Sequence, residues 1–214
     1  MTWSKLIRLY FALLNIDMNF LAHLYLTPPV GDLAFGNFIA DTVKGNNFLQ
    51  FSPEIQKGIQ IHRYIDDFTD HHAMVTETCR KLRPSVGKYA GVVADIVFDH
   101  FLAASWKDYH CETLPEFAGR CYEMVEARKI LLPPRAAFVY RHMREGDWLT
   151  RYGDLDFLSR VFEGMSRRSA GGSLMLNSVA ALNQDYGYYR ESFVQFFPEL
   201  IRAVEEYQKR APEL

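Results

Sequence analysis

Apolar residues recur along this chain at intervals of three and four, and sustained alternation of apolar and polar positions is hard to find. That pattern predicts an all-α fold. Ser52-Pro53-Glu54 supplies an N-cap, a proline for the first turn and an early acidic residue, so a helix is expected from there to about His71. A second long helix is expected over Val86 to Trp106, after a break at Arg83-Pro84-Ser85. Further helices are expected at roughly Asp32 to Lys44, Leu114 to Ile130, Pro134 to Arg144, Asp154 to Arg167, and Ser173 to the C-terminal end. Pro28-Pro29, Gly45-Asn46-Asn47, Pro133-Pro134 and Gly171-Gly172 punctuate them. No internal repeat, low-complexity tract or long linker divides the pattern, which reads as a single-domain helical bundle.

Composition supports one globular domain. The chain has 214 residues, 49% apolar and 23% charged, enough for a sizeable core. A net charge of −2 provides no global field for nucleic acid or an anionic membrane, so neither is expected as a partner. The cluster Tyr186, Tyr188, Tyr189, Phe193, Phe196 and Phe197 has helical spacing and reads as core, not as a stacking platform for bases. Cys79, Cys111 and Cys121 form no C-x-x-C or zinc-finger spacing, which suits free thiols in the cytoplasm. Leu6 to Ile16 is apolar but interrupted by Arg8 and too short to span a bilayer. Residues 1 to 17 read as an N-terminal extension or upstream-start segment, and residues 18 to 214 as the helical domain, because Met18 opens a second plausible beginning.

The candidate chemistry lies in His62-Arg63-Tyr64-Ile65-Asp66-Asp67-Phe68-Thr69-Asp70, answered by Asp95 and Asp99-His100. Each helical residue turns by ~100°, so Gly58, His62, Asp66 and Asp70 trace one slowly drifting stripe beside the apolar stripe of Ile61, Ile65 and Phe68. An imidazole and a carboxylate at the edge of the core are where ligands of an interior metal must sit. Asp99 and His100 stand among Ile96-Val97-Phe98 and Phe101-Leu102-Ala103, where an unpaired carboxylate carries a large desolvation cost and needs a cation or hydrogen-bond donors. Asp41 has the alternative of capping a helix or pairing with Lys44, and His23 the alternative of a hydrogen-bonded core residue. For both acid–histidine pairs, ion pairing with Arg63 or Arg80 is the competing structural reading. Mixed carboxylate and imidazole ligation favours manganese, iron or magnesium over thiolate-bound zinc. No P-loop, dinucleotide glycine pattern, G-x-S-x-G or H-E-x-x-H motif competes.

Taken in order, Met18-Asn19-Phe20-Leu21-Ala22-His23-Leu24, Gly36-Asn37 with Ala40-Asp41 and Lys44-Gly45, Gly58-Ile59 with His62-Arg63 and Ile65-Asp66, Thr69-Asp70, and Asp99-His100-Phe101-Leu102 resemble the acyl carrier protein phosphodiesterase family. Trp148-Leu149 with Tyr152, and Gly164-Met165 with Arg167-Arg168, continue the resemblance, which implies a relation to HD-type phosphohydrolases. It further implies an all-helical fold, a divalent metal, commonly manganese with magnesium or Fe2+ as substitutes, and hydrolysis of the phosphodiester joining 4'-phosphopantetheine to a serine of acyl carrier protein. The adjacent pair runs Asp99 then His100, the reverse of the usual HD order.

On this resemblance Asp41, His62, Asp66, Asp99 and His100 are expected to supply most metal ligands, with His23 as an additional one. Asp66 or Asp70 would take a proton from the attacking water, and Arg63 or Lys44 would stabilise phosphoryl charge. A basic surface is expected to dock the acidic carrier protein, formed either by Arg167 and Arg168 with Arg141, Arg144 and Arg151 or by Arg80, Lys81 and Arg83. Two other readings remain: a phosphohydrolase of a nucleotide or other small phosphodiester, and a non-catalytic helical binding protein with a structural metal.

Overall fold

The computed structural model describes residues 19–28, 30–167 and 172–210, and among these there are helices and no strand. In chain order the α-helices are α1 (Phe20–Tyr25), α2 (Gly31–Ile39), α3 (Pro53–His71), α4 (Ala73–Val86), α5 (Ala90–Ala104), α6 (Trp106–Tyr109), α7 (Leu114–Glu126), α8 (Pro134–Gly146), α9 (Trp148–Arg151), α10 (Leu155–Ser166), α11 (Ser178–Gln184) and α12 (Tyr186–Arg210). Short 3-10 turns fill several links, including Ala40–Thr42, Gly45–Gln50 and Gly172–Asn177. One continuous hydrophobic core draws on residues from Phe20 to Val204, so the described residues form a single helical domain.

Local signals explain several of the helix starts. Ser52 is extended ahead of Pro53 at the first helical position of α3, although its hydroxyl donates to Asp32 Oδ2 and makes no cap bond. Thr113 and Glu116 form a reciprocal capping box on α7. The imidazole of His72 accepts from the amide of Met74 and opens α4.

Five expected boundaries differ. The expected break at Arg83-Pro84-Ser85 is absent: α4 runs through Pro84 to Val86 and ends at Gly87, whose φ is +61°. Pro84 lies in the last turn, and the carbonyl it leaves without a helical donor belongs to exposed Arg80, where water can serve it. Val75, Thr78, Leu82 and Val86 bury a helical stripe. The long helix expected over Val86 to Trp106 is divided by a 3-10 turn at Gly87–Tyr89 and ends at Ala104. The helices expected to reach Lys44 and Ile130 stop at Ile39 and Glu126 and continue as 3-10 turns. The expected C-terminal helix is the 3-10 turn Gly172–Asn177 followed by α11 and α12.

The crossing of α2 on α3 positions the chemistry. A Cβ on Gly36 would lie 2.1 Å from the carbonyl oxygen of Ile55, and one on Gly58 would lie 2.0 Å from that of Leu33 and 2.8 Å from the amide nitrogen of Asn37. Only glycine at both positions lets the two backbones meet so closely. Helix α5 is buried almost all round, from Val93 to Leu102, and forms the centre of the fold. On α12, Tyr189, Phe193, Phe196 and Phe197 are buried core residues, whereas of the same expected cluster Tyr186 is half-buried and Tyr188 is exposed.

Candidate metal centre

Helix α3 carries His62 and Asp66 one turn apart, α1 brings His23 against them, and the 3-10 turn after α2 adds Asp41. His62 Nε2 lies 3.1 Å from Asp41 Oδ1 and 3.3 Å from Asp66 Oδ2. His23 Nε2 lies 3.3 Å from Asp66 Oδ1, and the two imidazoles stack with centroids 4.0 Å apart. Both histidines are buried, whereas the Asp66 side chain is 46% exposed and opens the cluster to solvent. His23, His62 and Asp66 can each offer one ligand atom within 4.8 Å of the others.

Asn37 determines how His62 is presented. Its Nδ2 donates to the carbonyl of His23 at 2.8 Å and to Thr27 Oγ1 at 3.3 Å, which leaves Oδ1 to accept from His62 Nδ1 at 3.0 Å. The opposite amide orientation would set two carbonyl oxygens against each other. With its proton fixed on Nδ1, a neutral His62 turns the Nε2 lone pair toward two carboxylates. That arrangement repels unless a second proton or a cation lies between them.

The titration behaviour has the same origin. Burial works against protonating His62, but the Asp41 hydrogen bond, the Asp41 and Asp66 charges and the Asn37 contact outweigh it and raise its pKa. For His23, burial and then the His62 charge lower the pKa against the pull of Asp66 and Asp41. Burial opposes ionisation of Asp66, but its hydrogen bond to His23 and the two imidazole charges hold its pKa down. His23 Nδ1 is buried without a hydrogen-bond partner. Two imidazole nitrogens and two carboxylates around a position that demands positive charge fit a divalent cation.

The structure does not bring Asp99 or His100 to these donors. Asp99 is fully buried and accepts the amides of Leu21 at 2.9 Å and Ala22 at 2.8 Å, so it caps α1 from α5. Burial pushes its carboxyl pKa up to about 7, opposed by those two amides. His100, one residue on and turned ~100° away, bonds the carbonyl of Tyr152 through Nδ1 at 2.9 Å and the hydroxyl of Tyr186 through Nε2 at 3.0 Å. The desolvation argument for Asp99 holds, and the Leu21 and Ala22 amides supply hydrogen-bond donors that answer it.

The other expected site residues occupy distinct places. Arg63 donates to the carbonyls of Val43 at 3.1 Å and Gly45 at 2.9 Å and lies over the ring of Phe48, so it clamps the loop that carries exposed Lys44. Asp70 is exposed near the end of α3. Arg167 pairs with Glu163 along α10, and Arg168 lies outside the described residues. Asn37 was part of the resemblance but was given no role. Its signal is an amide within Ala34–Ile39, where every neighbour is buried, a position that requires partners.

Fold and centre together define an all-helical protein with a clustered imidazole–carboxylate group of the kind that holds a divalent cation. The chain belongs to the acyl carrier protein phosphodiesterase family, whose model matches residues 18–200. It is 33% identical over 189 residues to the acyl carrier protein phosphodiesterase of Photorhabdus laumondii, covering 88% of this chain and 96% of that protein. The protein of that name from Yersinia pestis is 31% identical over 193 residues, covering 89% of this chain and 100% of its own length. That of Escherichia coli O157:H7 is 34% identical over 187 residues, covering 86% and 96%. No solved structure matches the chain. Among the described residues no helix is long and apolar enough to cross a membrane.

Proposed function

We propose that the chain is a metal-dependent phosphodiesterase that removes 4'-phosphopantetheine from the serine of holo acyl carrier protein, leaving apo carrier protein. The observation that carries this reading is His62 Nε2, held with its lone pair toward Asp41 and Asp66 in a chain of this family. His23, Asp41, His62 and Asp66 would hold the ion. The mixed set of imidazole and carboxylate donors suits manganese, with Fe2+ or magnesium as substitutes. When bound, such an ion lowers the pKa of a coordinated water and neutralises charge on the phosphoryl oxygens.

The protein's own groups perform the remaining tasks. Asp66, ionised and open to solvent, takes the proton of the attacking water, with Asp70 as the second carboxylate one turn further along α3. Lys44, on the loop fixed by Arg63, balances phosphoryl charge as the ester bond breaks. The serine oxygen leaves with the carrier, and the phosphate stays with the pantetheine arm. Three free cysteines suit a reducing cytoplasm.

The direct test incubates the purified protein with holo carrier protein and manganese, beside a small phosphodiester, and follows carrier mass. Loss of the phosphopantetheine mass, abolished in His62→Gln, is the expected result. Turnover of the small diester with an unchanged carrier would instead assign a small-molecule phosphohydrolase. Tight manganese binding with neither turnover would assign a structural metal.

A further inference from the structure

His100 is the one member of the sequence-marked acid and histidine pairs that neither the metal centre nor a helix cap absorbs. Its surroundings define a second place where chemistry can occur. Because Nδ1 faces the carbonyl of Tyr152, the ring proton is on Nδ1 and Nε2 carries the lone pair. Burial lowers the pKa of His100 and keeps the ring neutral, although the Tyr152 carbonyl works in the opposite sense. The hydroxyl of Tyr186 must therefore donate to His100 Nε2, and the phenol oxygen is left as an acceptor only.

Tyr186 lines a cavity of about 990 Å³ between the end of α5, the segment from α6 to the start of α7, and the start of α12. None of His23, Asp41, His62 or Asp66 lines it. The cavity has an apolar wall in Phe101, Trp106 and Leu114, and cationic groups in Lys107 and Arg190. Tyr186 and Arg190 are one turn apart on α12 and so share a face. Of the lining carboxylates, Glu112 pairs with Arg120, which leaves Asp108 against two cations.

We propose that this cavity is a second ligand site, separate from the metal centre, for a small organic anion that carries a hydroxyl or amide N–H beside an alkyl chain. The donor goes to the Tyr186 oxygen, the anion to Arg190 and Lys107, and the chain to the Phe101–Trp106–Leu114 wall. An oxygen that can only accept makes the ligand's donor a requirement for discrimination, since an analogue without it leaves that hydrogen bond unmade.

The test titrates the full chain with 3-hydroxyoctanoate and, separately, octanoate by isothermal calorimetry. The hydroxylated acid is expected to bind about fivefold more tightly, the worth of one net hydrogen bond. That preference should vanish in Tyr186→Phe. Arg190→Ala, a change at an exposed side chain, should weaken both acids, and His62→Ala should leave both unchanged. Equal affinity of wild type for the two acids, no saturable binding, or loss of binding in His62→Ala would overturn the proposal. Because no carrier protein or turnover enters these measurements, their outcome is independent of the activity proposed for the metal centre.

Discussion

Replacing Gly58 by alanine tests whether the contact of α2 with α3 creates the metal centre. A methyl at this position would lie 2.0 Å from the Leu33 carbonyl oxygen, 2.8 Å from the Asn37 amide nitrogen and 2.9 Å from the Gly36 Cα, all backbone atoms that cannot rotate away. Reaching ordinary contact near 3.4 Å requires the helices to part by about 1.4 Å. The Asn37–His62 bond, 3.0 Å long, would then exceed hydrogen-bonding range. Overpacking costs ~1–3 kcal/mol, and the broken buried hydrogen bond adds ~1–3 kcal/mol. The better helix propensity of alanine returns only ~1 kcal/mol. These terms sum to a net loss of about 1–5 kcal/mol, which corresponds to a fall in Tm of roughly 2–20 °C for a chain of this size.

Thermal unfolding followed by circular dichroism reads the first effect, and calorimetric titration with manganese reads the second, expected as at least tenfold weaker binding. Gly119→Ala on α7 is the control, because a methyl there meets nothing within 4 Å and should raise stability by ~0.5–1 kcal/mol. A Gly58→Ala protein with unchanged Tm and unchanged manganese affinity would refute the reasoning.

Further outcomes separate structural from chemical roles. Asp99→Asn places an amide NH2 against one of the two backbone amides that cap α1 and should cost ~2–3 kcal/mol in urea unfolding; Asp66→Asn should lose manganese binding with little change in stability. Asn37→Ala removes the group that fixes the His62 proton and should weaken manganese ~10–100-fold in calorimetry. With its folded pKa raised above 6.5, His62 competes for protons from above that value downward, so manganese affinity should already fall as pH drops toward 6.5, with proton release measured in buffers of different ionisation enthalpy. In the metal-free protein the same shift stabilises the fold below pH 6.5, and that contribution is lost as pH rises through the raised value; His62→Gln should abolish it.

Periodicity made the all-helical class legible because helices such as α3 and α7 each bury one stripe and begin with a recognisable signal, Pro53 in the first turn of one and the Thr113–Glu116 capping box of the other. It failed where local chemistry and packing disagree. Pro84 reads as a break, yet its place in the last turn of α4 removes only one helical donor, and the buried stripe from Val75 to Val86 outweighs that loss. The kink at Gly87 lies three residues beyond the proline and has a positive φ. Asp185 divides the C-terminal segment into α11 and α12 with no proline there, and the nearby Gly187 already lies inside α12.

His62 and Asp66 were legible as partners because one helix fixes their relation, and four-residue spacing needs no tertiary knowledge. Asp99 and His100 carried an equally strong signal for the opposite reason: a charged pair inside an apolar helix must be satisfied, but sequence does not say by what. Here the partners are main-chain amides of α1 and a carbonyl and phenol from Tyr152 and Tyr186, groups separated from them by 52 to 86 residues. His23 reached the centre for the same non-local reason, since it is Asp99 on α5 that holds the start of α1 while Asn37 on α2 takes the His23 carbonyl. Asp99 therefore supports the candidate metal centre from outside the cluster, by fixing the helix that delivers one imidazole. A substitution there should reduce manganese affinity only in proportion to the loosening of α1, whereas one at Asp66 should reduce it while α1 stays protected from hydrogen exchange.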